Sequence, residues 1–101
     1  MAILGDVVHK VRSKNAGPFW LTIDVFCGNE EAFQRIENQL STEIVAQQLH
    51  QPEDRLNRYV LPDLHVIKFS LPRPQVQGSR LDRDMHGAQW AITVSNINLD
   101  G

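Results

Sequence analysis

The sequence has one cysteine, Cys27, so it can form neither an internal disulfide nor a cysteine-built zinc site. A fold that stands without such staples suits the reducing cytoplasm, which is the expected location. Neither sign of charge dominates. Ten Lys and Arg face twelve Asp and Glu, and a formal net charge of −2 gives no global pull toward nucleic acid or an anionic membrane. Long apolar runs are missing as well, so nothing approaches a membrane span. The stretch Met1-Ala2-Ile3-Leu4-Gly5-Asp6 lacks the basic flank and apolar run of a signal peptide. No repeat and no low-complexity tract is present. No cofactor is expected. What remains is ordinary globular composition: 42% hydrophobic and 22% charged residues over 101 positions, enough for one modest core in a single domain spanning 1–101.

The clearest element runs from Phe19 to Cys27. Phe19, Leu21, Ile23, Val25 and Cys27 share one face; Trp20, Thr22, Asp24 and Phe26 share the other. This period of two, carried by aromatic and β-branched residues, predicts a strand. Upstream, residues 11–18 read as a polar loop closed by Gly17-Pro18. Downstream, Asn29 is a helix cap with Glu30 and Glu31 in the favourable first turn. Ala32, Phe33, Ile36 and Leu40 follow at helical spacing. Ser41 or Thr42 caps a second helix carrying Ile44, Val45 and Leu49, which Pro52 stops near His50.

Arg55–Leu61 and His65–Leu71 predict an antiparallel hairpin turning at Pro62-Asp63-Leu64. Residues 72–80, with two prolines and a glycine, read as a loop. Asp82 or Asp84 caps a last helix with Met85, Ala88, Gln89 and Ile92 on one side, and Ile97 and Leu99 suggest a short final strand. The resulting order is the ferredoxin-like split βαβ. That is an α+β two-layer sandwich with a four-stranded, mainly antiparallel sheet and helices on one face. Trp20 and Phe26 would then share an open face with Val66, a surface for a partner.

Residues 11–19, Leu21-Thr22-Ile23-Asp24-Val25, Pro72-Arg73-Pro74 and Asp84-Met85-His86-Gly87-Ala88-Gln89 resemble a small family of unknown function (domain of unknown function 4387) found beside AtuA-like proteins. The layout is more distantly similar to the small ferredoxin-fold domain attached to some AtuA-like proteins. That relative carries an acidic residue in its Arg-Ser loop, which this chain lacks at the matching place. The resemblance implies a partner, an AtuA-like large subunit, in acyl-CoA or organic-acid catabolism.

Several residues are candidates for chemistry. Arg12, Ser13, Lys14 and Asn15, followed by Gly17, offer a bidentate cation, a point charge, a hydroxyl and an amide within a short span, suited to a carboxylate or phosphate. The same residues suit a solvated loop. Arg73 and Arg80 flank the Pro/Gly segment and either add to an anion site or lie exposed. Asp84 and His86 are a candidate acid–base pair, with helix capping as the simpler role. As metal ligands they fall short of the three or four needed. Gln89 is a candidate ligand contact. Asp24 is either solvent-facing or paired with Arg12 or Arg80. His65 reads as a core or boundary histidine, and Cys27 as a small buried hydrophobe rather than a nucleophile. Three functions remain open: a partner subunit binding an anionic small molecule or acyl-CoA, a stand-alone oligomeric isomerase or lyase acting on a carboxylic acid, and a regulatory small-molecule binder.

Overall fold

The computed structural model describes residues 2–73 and 89–99. A short helix, α1 (Leu4–Val7), leads into β1 (Lys10–Asn15) and β2 (Trp20–Phe26). Two helices follow, α2 (Glu30–Gln39) and α3 (Thr42–Leu49), then β3 (Asn57–Leu61), β4 (Val66–Pro72) and α4 (Gln89–Ser95). Single 3₁₀ turns at Glu53–Arg55 and Pro62–Leu64 sit before and after β3.

The helix starts follow from the caps. Asn29 Oδ1 accepts the Ala32 N–H at 2.8 Å and Ser41 Oγ accepts the Ile44 N–H at 3.2 Å, each satisfying a backbone donor the helix leaves open. At the other end of α3, His50 takes a left-handed conformation and its N–H closes the last turn.

The strands form one antiparallel sheet in the order β1-β2-β4-β3. Its register fixes two faces. On one, Leu21, Ile23 and Val25 stand opposite Leu71, Phe69 and Ile67 and are fully buried. Phe33 and Ile36 of α2, Val45 and Leu49 of α3, Val94 of α4 and Leu4 of α1 join them in one core. The expected α+β fold is present: a four-stranded antiparallel sheet with helices on one face.

Three assignments are corrected. Residues 11–18 are not a loop: most of them form β1 and the turn into β2, where Gly17 adopts φ 81, a value glycine accommodates without strain. Nor do Ile97 and Leu99 make a strand. Among the described residues that segment pairs through a single antiparallel bridge, Ile3 with Asn98, although both side chains are buried. The order is therefore β-β-α-α-β-β-α, and N-terminal β1 fills the edge beside β2. In α4 the buried residues are Ala91 and Val94, while Ile92, expected inside, is 66% exposed. His65 precedes β4 in a left-handed conformation at the sheet boundary, its Nε2 2.9 Å from Glu30 Oε2.

Candidate functional site

Strand alternation divides the residues 12–15 between the two faces. Arg12 and Lys14 stand opposite Asp24 and Thr22, on the face away from the core. Ser13 and Asn15 stand opposite Ile23 and Leu21, on the helix-covered face. They therefore do not form one anion cradle.

Ser13 and Asn15 meet the far end of the chain. Ser13 Oγ accepts the Ala91 N–H at 2.8 Å, tying the first turn of α4 to the β1 edge. Asn15 Oδ1 accepts from the Arg73 guanidinium across 58 positions of sequence. The Arg73 N–H donates to Phe19 O at 2.8 Å, so its backbone is fixed too. Gln89 begins α4 two residues before Ala91 and borders a cleft of about 290 Å³ between α3 and α4, shared with Gln48, His50 and Trp90. Gln48 Nε2 bridges that cleft to Thr93 O at 3.1 Å. Ser13, Asn15 and Arg73 thus form one polar corner beside α4. Arg80, Asp82, Asp84 and His86 lie outside the described residues.

The Ser13 contact is partly buried, and deleting its acceptor strands an N–H. Ser13→Ala is expected to lose about 1–3 kcal/mol of stability. That is a drop in melting temperature of at least about 4 °C for a chain this size, readable by thermal denaturation.

The opposite face of the sheet carries three rows read straight across from β1 to β3: Lys10, Phe26, Val66, Leu61; Arg12, Asp24, Lys68, Tyr59; and Lys14, Thr22, Ser70, Asn57. Among the described residues no helix packs on it. Trp20 extends it at 43% exposure and Tyr59 at 48%, both large for aromatic side chains. Lys10 Nζ lies 5.1 Å from the Phe26 ring centre, a cation–π distance. A groove of about 410 Å³ runs along this face between Thr22, Tyr59, Leu61, Lys68 and Ser70. Asp24 is half-buried at its centre, and no ion pair joins it to Arg12 or Lys68 among the described residues.

Cys27 closes the buried face of β2, 1% exposed, and burial pushes its thiol up to about 11. Burial and the raised pKa both disfavour its thiolate, the form a nucleophile needs. Among the described residues no group of three or more His, Cys, Asp or Glu is placed to hold a metal ion, and no helix is long and apolar enough to cross a membrane.

Sheet and helices together define a small α+β protein with one helix-covered sheet face, one face on which no described helix packs, and a polar corner joining β1 to Arg73 and α4. The chain belongs to the family described as Domain of unknown function (DUF4387), whose sequence model matches residues 4–98. No curated protein and no solved structure matches it.

Proposed function

We propose that this chain is a small partner subunit that docks through its free sheet face on an AtuA-like protein acting in acyl-CoA or organic-acid catabolism. The observation that carries the reading is a sheet face on which no helix packs among the described residues, with Trp20, Tyr59 and Leu61 exposed on it. Aromatic side chains in such a setting are the usual anchors of an interface, and a few of them supply most of its affinity. The test is co-purification of the two proteins from one cell. Trp20→Ala and Tyr59→Ala are each expected to weaken the complex by more than about tenfold while leaving the circular dichroism spectrum unchanged. A chain that stays alone in the presence of the AtuA-like protein rules the reading out.

The polar corner favours a second role, binding an anionic small molecule such as an acyl-CoA or an organic acid. Arg73 is held there by Asn15 through its side chain and by Phe19 O through its backbone N–H, which gives the cationic group a set orientation. Acyl-CoA or dicarboxylate in excess is expected to raise the melting temperature, and Arg73→Met to abolish that rise.

A further inference from the structure

The free sheet face is cationic in a chain that is acidic as a whole. Among the described residues, Lys10, Arg12, Lys14 and Lys68 lie on its strands against one carboxylate, Asp24, whereas the formal net charge of the chain is −2. The excess of positive charge is therefore local. Lys10, Arg12 and Lys14 form an outer rim, all exposed on the β1 edge. Lys68 differs from them. It is half-buried on an inner strand, with Asp24 on one side and Tyr59 on the other, and it forms part of the groove wall with the hydroxyl-bearing Thr22 and Ser70.

Thr22 is 6% exposed, so this part of the groove is already largely withdrawn from water. An ammonium group covered by a partner there must be matched by an opposite charge, because an unpaired buried cation costs several kcal/mol. Two copies of the chain laid face to face would set four cations against four, which disfavours self-association through this surface.

We infer that the docked partner places an acidic side chain, Asp or Glu, into the groove against Lys68. Apolar groups flank that side chain toward Leu61 and Phe26, and further acidic groups face the Lys10, Arg12 and Lys14 rim. This inference rests on the docking reading and adds the chemistry of the partner. The carboxylate accepts from the Lys68 ammonium and from the Ser70 hydroxyl, while Thr22 keeps its own bond to Lys14 O; the rim raises the association rate and fixes orientation.

The experiment measures the dissociation constant of the complex with the AtuA-like protein at 50 and 300 mM NaCl, for the full-length chain and for Lys68→Met and Lys68→Arg. Wild type is expected to bind more weakly at the higher salt. Lys68→Met, which keeps the apolar stem, is expected to bind about tenfold or more weaker with a shallower salt dependence, and Lys68→Arg to stay within about threefold of wild type. Binding that is insensitive to salt and to Lys68→Met overturns this inference and leaves docking standing. Absence of any complex with the wild-type chain overturns both. Circular dichroism of each variant confirms that the sheet is intact.

Discussion

Phe69→Ala is expected to remove about 3–5 kcal/mol of folding stability. Phe69 is fully buried at the centre of β4, between Ile23 on β2 and Arg58 on β3. It is the largest fully buried side chain in a core that draws on all four described helices. Truncation loses the transfer energy of the ring and leaves a void that β-sheet neighbours cannot collapse to fill. Total stabilities of about 5–15 kcal/mol leave little after such a loss. Thermal or urea denaturation should show a midpoint lowered by at least about 12 °C, or no cooperative transition at all. Phe19→Ala is the control. Phe19 is 60% exposed, and its removal is expected to change stability by no more than about 0.5 kcal/mol. Equal effects at the two positions would mean that Phe69 is not buried as the sheet register places it.

Cys27 gives the second large effect, on reactivity and on alkaline stability. Its thiol is buried and its Sγ reaches Val25 O at 3.9 Å, so it has no stabilised thiolate. Burial raises its pKa from an ordinary 9.0 to about 11. At pH 8 the thiolate population is then about a hundredfold below that of the unfolded chain, and the reagent must also reach a covered atom. Iodoacetamide labelling of the native protein is expected to be slower than in urea by at least that factor. The same shift sets a pH dependence. Between pH 9 and 11 the unfolded chain has lost this proton while the folded chain retains it, so stability falls as pH rises through that window. The loss from this group approaches roughly 2–3 kcal/mol above pH 11 and vanishes below pH 9. Cys27→Ala should flatten this part of the stability profile. A native thiol that labels as fast as the unfolded one overturns the assignment.

Much of the fold can be read in the residues that obey simple periods. The alternation read from Phe19 to Cys27 specifies β2 and its buried side, although Phe19 itself precedes the strand and is exposed, and the caps at Asn29 and Ser41 mark two helix starts found at those positions. The Pro62–Leu64 turn separates β3 from β4. The strand β1 escaped because only Val11 of its three inward positions is apolar, while the other two, Ser13 and Asn15, are polar. They meet α4 and Arg73 by hydrogen bonds, whereas a period-two reading looks for apolar residues on one side. Lys10, Arg12 and Lys14 on the outer side completed the likeness to a loop. They are also what guards an edge strand against pairing with other chains. Ile92 misled for the opposite reason: an isolated apolar side chain on a helix surface is common and says little about burial. Of the candidate site, Ser13, Asn15 and Arg73 do come together. Arg12 and Lys14 turn to the other face, a separation that only the strand register could reveal.

The pairing of the chain's opposite ends sets the moment at which the protein can close. The Leu4 N–H donates to Ile97 O and the Leu99 N–H to Ala2 O, both at 2.8 Å, while β1 holds α4 through Ser13. On a ribosome these early residues emerge seconds before the ones they need, at usual elongation rates. All four strands lie before residue 73, so the sheet can pair and meet α2 and α3 during that interval, while β1 lacks only α4 and α1 lacks residues 97–99. Folding is completed only when residues 97–99 leave the exit tunnel, and a translational stall before them leaves the sheet without the contacts of α1 and the closing segment.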